Sequence, residues 1–184
     1  MPDTSILWSP APYHIISYGI LLGTTTFQSF VGGIVAFKSL PRAQFASLQQ
    51  ATFPIYFAMQ TSLPVILALT LPPERTAIST RPGSLSGVLD PDNRLHVLTP
   101  IATMLLTALL NVAYLGPATT KCMRQRKHQE TRDGKKSYDP GPHSQEMQLL
   151  NKKFSYLHGA SSLVNMIGWF AMVWYGFYLG DRLS

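Results

Sequence analysis

One cysteine, Cys122, leaves no partner for an internal disulfide, and the chain lacks any CxxC, HxxxH or Asn-x-Ser/Thr pattern. The five histidines (His14, His96, His128, His143, His158) are scattered, as are Met59, Met104, Met166 and Met172. Neither a zinc site nor a soft-metal cluster is legible, so no metal and no cofactor is expected. Charge is scarce too: 13% of residues are Asp, Glu, Lys or Arg. Four stretches hold none at all, from Tyr13 to Phe37, Phe53 to Leu71, Leu95 to Gly116 and Tyr156 to Gly180. They contain no carboxylate, which removes the paired acids of intramembrane acid–base chemistry. The opening MPDTSILWSPAP has no Lys or Arg, so neither a signal peptide nor a transit peptide is expected and the first stretch should stay as an anchor. The closing GDRLS carries no recognisable lipidation or retention signal.

What is present is four runs of bilayer-crossing length. About 20 mostly apolar residues carry a helix across roughly 30 Å of hydrocarbon. The expected fold class is therefore all-α: an integral membrane four-helix bundle over residues 1–184, with short loops and one long basic cytosolic connector. The spans are placed at about 13–37, 53–71, 95–116 and 156–180, and the connector at about 117–155, whose first part, PATTKCMRQRKHQETRDGKKSYDP, is expected to continue the third helix out of the membrane. Mean hydropathy is only +0.09 because polar connectors dilute the spans. No internal repeat supports a two-plus-two duplication.

The charges between the runs orient the chain. Lys38, Arg42, Lys121, Arg124, Arg126, Lys127, Arg132, Lys135, Lys136, Lys152 and Lys153 fall on one side of four crossings. Arg75, Arg81, Arg94 and Arg182 fall on the other, with both termini. Basic residues favour the cytoplasm, so the termini are expected in the lumen or outside, in the secretory pathway or plasma membrane. The partners this implies are the bilayer itself and anionic headgroups at the basic connector, not nucleic acid.

Uncharged polar residues in hydrocarbon need partners, so their faces point inward. At 100° per residue the first helix carries a stripe of Gly19, Gly23, Thr26 and Gly33, with His14, Ser17, Thr24 and Gln28 opposite. That predicts a central helix, packed on both sides. The second helix aligns Phe53, Tyr56, Gln60 and Pro64; the third aligns Pro100, Met104, Thr107 and Asn111. The fourth aligns His158, Ser162, Asn165, Trp169, Met172 and Gly176. Gln28, Gln60, Asn111 and Asn165 lie roughly 7 to 14 Å from the cytosolic ends, with His158 nearer the surface. Two readings stand: the amides join helix to helix, or they floor a cytosol-facing polar vestibule with His158 and Ser162. The GxxxG pairs Gly19 with Gly23 and Gly176 with Gly180 allow close helix approach, within one copy or between copies in a homo-oligomer. Trp169, Trp174, Tyr175 and Tyr178 suit the membrane interface as anchors.

At the helix ends the sequence becomes distinctive. KSLPRAQFASLQQATFPIYF (Lys38 to Phe57), LGPATTKCMRQRK (Leu115 to Lys127) and KKFSYLHGASSLVN (Lys152 to Asn165) together resemble the transmembrane protein 205 family of four-span eukaryotic proteins. The resemblance runs from about Tyr18 to Leu179. It implies a secretory or plasma-membrane protein with a relative tied to platinum-drug tolerance; a single cysteine gives little soft-metal capacity. The motif blocks share one membrane face, which suggests Arg42 and Lys121 as a rim over the vestibule. Alternatively, Pro54 marks a helix start, and Thr119, Thr120, Arg42 and Lys121 fix helix ends. Three classes remain. Small-solute or xenobiotic handling is favoured by the polar faces and the resemblance. A scaffold or assembly factor would act through the basic segment. A small membrane enzyme on a lipid-like substrate would need His158 as acid or base with a partner.

Overall fold

The computed structural model describes residues 7–75 and 80–182. Four helices are long and apolar enough to cross a membrane: α1 (Pro10–Ser39), α2 (Arg42–Thr70), α4 (Pro91–Asp133) and α5 (Gln145–Asp181). Between α2 and α4 lie a two-residue antiparallel ladder, β1 (Glu74–Arg75) with β2 (Thr80–Arg81), and the short α3 (Ser84–Val88). The fold is all-α apart from that ladder.

Helix ends depart from the charge-free runs in two places. α2 begins at Arg42, not near Phe53, and only Leu40 and Pro41 separate it from α1. The segment RAQFASLQQAT has no helix breaker and good formers, so it extends the helix below the apolar run. Pro54 therefore sits inside α2, as does Pro64, rather than at its start. In the stretch 117–155 the third helix continues past Gly116 as expected, and the fourth starts well before Tyr156. α4 runs on to Asp133, α5 starts at Gln145, and the two arms pack on each other as a helical hairpin.

That hairpin has its own small core of Leu115, Cys122 and Leu157, with Leu150 and Phe154 against it. Met147 is fully buried. Arg126 lies 4.5 Å over the Phe154 ring and donates to Asn151 Oδ1 at 2.9 Å, so one basic side chain stitches both arms. The first arm ends at Gly134 (φ 63°), and the second starts at Ser144, whose hydroxyl oxygen accepts from Met147 N–H at 3.2 Å. Gly134→Ala should cost about 1 kcal/mol from the left-handed backbone alone. Thermal unfolding of the purified protein reads this as a small fall in midpoint with unchanged helix content.

Of the long helices, α1 packs on α2, α2 on α4 and α4 on α5, while α1 meets α5 over a shorter seam. The main apolar core gathers Leu21, Leu63, Leu67, Val97, Met104 and Tyr175 toward the end that carries the termini. Outward faces are apolar: Ile55, Leu106 and Phe177 are among many large exposed side chains. An aqueous surface would not hold so many, whereas lipid would.

Helix α1 is not central. Its apolar window is 11% buried, against 33% for α2 and α4. The glycine stripe accounts for the discrepancy. A Cβ added at Gly19, Gly23 or Gly180 would meet nothing within 4 Å, so these do not seat a helix in this fold. At Gly176 it would collide with the Tyr18 hydroxyl, and at Gly168 it would lie 2.7 Å from Thr107 Oγ1; those are the close approaches. Gly33 faces its own chain, with Gln28 O 3.3 Å from an added Cβ.

Candidate functional site

The polar interior is assembled by uncharged side chains, at i, i+4 spacing on the first two helices. Thr25 and Ser29 on α1 face Tyr56 and Gln60 on α2, and Asn165 on α5 reaches between them. Gln60 Nε2 donates to Asn165 Oδ1 at 2.9 Å, to Tyr56 Oη at 2.9 Å and to Thr25 Oγ1 at 3.2 Å. Tyr56 Oη donates to the same Asn165 Oδ1 at 2.8 Å, and Asn165 Nδ2 donates to Ser29 Oγ at 2.8 Å. Thr25 and Gln60 are buried. Three helices thus converge on one amide, Asn165, and every member is neutral.

Of the residues the sequence singled out, Gln60 and Asn165 meet. The other two amides pair elsewhere. Gln28 Nε2 donates to Gln49 Oε1 at 3.4 Å across the α1–α2 seam. Asn111 accepts from Ser161 Oγ at 2.8 Å and donates to Ser161 O at 3.4 Å across the α4–α5 seam. The four therefore form three pairings, not a single ring. His158 and Ser162 are exposed on α5, with His158 parallel to the Phe154 ring at 5.8 Å. Arg42 lies 3.8 Å over the Phe37 ring at the α1–α2 turn, and Lys121 is exposed on the hairpin arm.

Three of the four amides stand where the helical ladder is broken. A π turn begins at Gln28, whose carbonyl accepts from Gly33 N–H, and another begins at Asn111, whose carbonyl accepts from Gly116 N–H. In α2, Pro64 has no N–H to give the Gln60 carbonyl four residues before it. Such breaks expose backbone polarity inside a span and recur at functional sites. The glycines five residues after Gln28 and Asn111 were the available signal. At Gly116 an added Cβ would lie 2.8 Å from Asn111 O.

A second polar group, nearer the termini, was not read from the sequence. His14 is fully buried between Thr70 Oγ1, 3.2 Å from Nδ1, and Tyr175 Oη, 2.7 Å from Nε2. Thr70 gives its one hydroxyl proton to Ile66 O at 2.7 Å, so it accepts from His14 Nδ1–H. Nε2 is then the acceptor of the Tyr175 hydroxyl. Tyr175 is accordingly a core residue, not an interface anchor. Tyr178, also expected at the interface, is part-buried and donates to Asn93 Oδ1 at 3.3 Å. Beyond it Arg81 bridges Glu74 and Asp92 at 3.5 and 3.2 Å, and Arg182 approaches Glu74 at 3.6 Å. Among the described residues no three of His, Cys, Asp and Glu gather to hold a metal ion.

Residues 16–128, more than half of the chain, match the family described as "Domain of unknown function (DUF4149)". The chain belongs to the DUF4149 family. This DUF4149 protein is also 33% identical over 172 residues to "Xanthocillin biosynthesis cluster protein D" of Aspergillus fumigatus (strain Af293), covering 94% of this chain and 90% of the relative. No solved structure matches. The DUF4149 match takes in Thr25, Ser29, Tyr56, Gln60 and Asn111, whereas Asn165, the partner of Ser29, Tyr56 and Gln60 on α5, and Ser161, the partner of Asn111, lie beyond it.

Proposed function

We propose that this DUF4149 protein is a four-span membrane bundle that handles a neutral small molecule at the Gln60–Asn165 network, approached from the cytosol past Gln28 and Asn111. In this reading it serves a small-molecule biosynthetic cluster, since the name of its Aspergillus relative places that protein in a biosynthesis cluster. The resemblance to the transmembrane protein 205 family points the same way. The observation that carries it is the convergence of Thr25, Ser29, Tyr56, Gln60 and Asn165 from three helices without a charge among them. An ion pathway calls for ionisable or carbonyl-rich linings. Neutral donors and acceptors instead match a neutral, hydrogen-bonding solute. The ladder breaks at Gln28, Gln60 and Asn111 add places where the helices can bend to admit it. Orientation follows the basic residues, with the hairpin in the cytosol and both termini opposite.

The test is accumulation of a panel of neutral small molecules in cells with and without the protein. At least one compound class should accumulate less with the native chain, and Asn165→Leu and Gln28→Leu, expressed at equal level, should abolish the difference. Accumulation that is indifferent to the protein, or to both substitutions, rejects solute handling.

The competing scaffold reading has one observation in its favour: the hairpin arm from Gly116 to Asp133 projects about 27 Å past the third charge-free run. A scaffold would lose function on shortening the hairpin and keep it in Asn165→Leu. For the enzyme reading, what the structure places against His158 is the ring of Phe154, not an acid or base.

A further inference from the structure

The cations of the first hairpin arm are sorted by face. At 100° per residue, Lys121, Arg124, Lys127 and His128 fall within an arc of about 120° on α4, one helical turn after another. All four are exposed. The opposite face carries the buried Leu115, Cys122 and Gln129, and through it the arm packs on α5. The arm's two acids lie off the stripe and are used within the hairpin. Glu130 Oε1 accepts from Ser137 N–H at 2.9 Å, and Asp133 accepts from Gln129 Nε2 at 2.8 Å and from Ser144 Oγ at 2.7 Å. Among the described residues no ion pair reaches Lys121, Arg124, Lys127 or His128. Orienting the chain needs cations on this side of the membrane but no particular rotation of them about the helix. A one-faced stripe on a folded hairpin is more than orientation asks.

Depth narrows what the stripe can meet. Gly116 closes the third charge-free run, and from there Lys121 stands about 7.5 Å further out, Arg124 about 12 Å, and Lys127 and His128 about 17 to 18 Å. A headgroup layer is roughly 5–7 Å deep, and physiological salt screens charge over about 8 Å. Lys121 is therefore at the level of the headgroups, as are Lys152 and Lys153 on the other arm, while Lys127 and His128 stand beyond their reach. α5 runs as one unbroken helix from Gln145 to Asp181, so the hairpin continues the line of the span and does not lie down on the bilayer. Nucleic acid fits no better: from Gly116 to Asp133 there is no Phe, Tyr or Trp for a base to stack on.

We propose that this stripe is a docking face for a soluble cytosolic protein that presents acidic side chains along one helix. Cations one turn apart, about 5 Å along the axis, match carboxylates at i, i+3 and i+4 spacing on a helix laid alongside. Arg124, in the middle of the stripe, offers the planar fork that takes a carboxylate through two N–H groups. This face goes beyond the solute reading, since it needs only the hairpin and stands whether or not Gln60 and Asn165 hold a solute.

The experiment titrates the full-length protein, in nanodiscs of phosphatidylcholine, with a fluorescent helical peptide that carries glutamates along one face. A peptide of the same composition with its glutamates spread around the helix, vesicles containing phosphatidylserine, and a single-stranded RNA of equal charge are titrated alongside. The one-faced peptide should bind about tenfold tighter than any of the three. Arg124→Glu with Lys127→Glu should remove about tenfold of that affinity, whereas Lys152→Glu with Lys153→Glu, the same change of charge on the other arm, should remove less than about twofold. The neutral pair Arg124→Gln with Lys127→Gln should lose about threefold, which keeps the face testable if charge reversal unsettles the hairpin. No binding of the one-faced peptide, binding no tighter than that of the spread peptide, equal losses in the two charge-reversed chains, or tighter binding of the vesicles or the RNA overturns the face. Nanodiscs expose both sides of the membrane, so the result does not depend on the orientation of the chain.

Discussion

Gln60→Leu should lower the unfolding free energy of the detergent-solubilised protein by about 2 kcal/mol. Interhelical hydrogen bonds in membranes average about 0.6 kcal/mol each, and the two N–H groups of the Gln60 amide are shared among three acceptors. Its loss also takes the described partner from the buried Thr25 hydroxyl oxygen, for which about 1–3 kcal/mol is the usual scale, while Tyr56 and Asn165 keep their bond to each other. Asn165→Leu should cost a similar amount, because it removes the acceptor shared by Gln60 and Tyr56. The double variant should then fall well short of the sum, since both changes break the same bond. Asn111→Leu combined with Gln60→Leu should be additive instead, as Asn111 pairs with Ser161 on its own. Additivity between Gln60 and Asn165 would mean that the network does not act as a unit.

The second large effect is steric. Gly176→Leu should cost about 3 kcal/mol, the upper end of overpacking penalties, because its side chain enters the space of the Tyr18 hydroxyl. That hydroxyl donates to Met172 O at 3.0 Å and the Tyr18 ring meets Tyr175 edge-on at 5.9 Å, so α1 and α5 would have to separate. The α1–α5 seam is short, so its other ties, His14 to Tyr175, Thr26 to Trp169 and Ser29 to Asn165, would be strained as well. Tyr18→Ala in the same chain should restore part of the loss. Gly19→Leu and Gly23→Leu should change stability by less than about 0.5 kcal/mol, as exposed substitutions do. A chain hurt more by Gly19→Leu than by Gly176→Leu would show that the open glycine face is covered by another copy.

The existence of four long helices was legible because a charge-free run of bilayer length seldom arises except in a membrane span. Their extents were not. Such a run marks the depth of hydrocarbon, whereas α2 begins at Arg42 and α5 at Gln145 by ordinary helix propensity in polar sequence; only the continuation of α4 past Gly116 was expected. That Gln60 and Asn165 point inward was legible from the 100° wheel. Their partners were not, because a wheel gives directions on one helix and says nothing of its rotation against the next. The π turns at Gln28 and Asn111 compound this. Each inserts one residue and turns everything beyond it by about 100°, so Gly33 leaves the stripe of Gly19 and Gly23. His14 was visible only as a polar residue on a face; its bond to Tyr175 joins positions 161 residues apart. The exposed positions of His158 and Ser162 have the same origin: α1 meets α5 at Ser29, Thr26 and Tyr18, all further from the hairpin than His158.

Everything proposed about the site depends on four crossings with the hairpin in the cytosol. In a Cys122→Ser background, single Lys135→Cys and Ser86→Cys chains in sealed, cytosolic-side-out microsomes test it with a membrane-impermeant thiol reagent. Position 135 should label at once, and position 86 only after detergent opens the vesicles. Labelling of position 86 in sealed vesicles, or protection of position 135, would contradict the account.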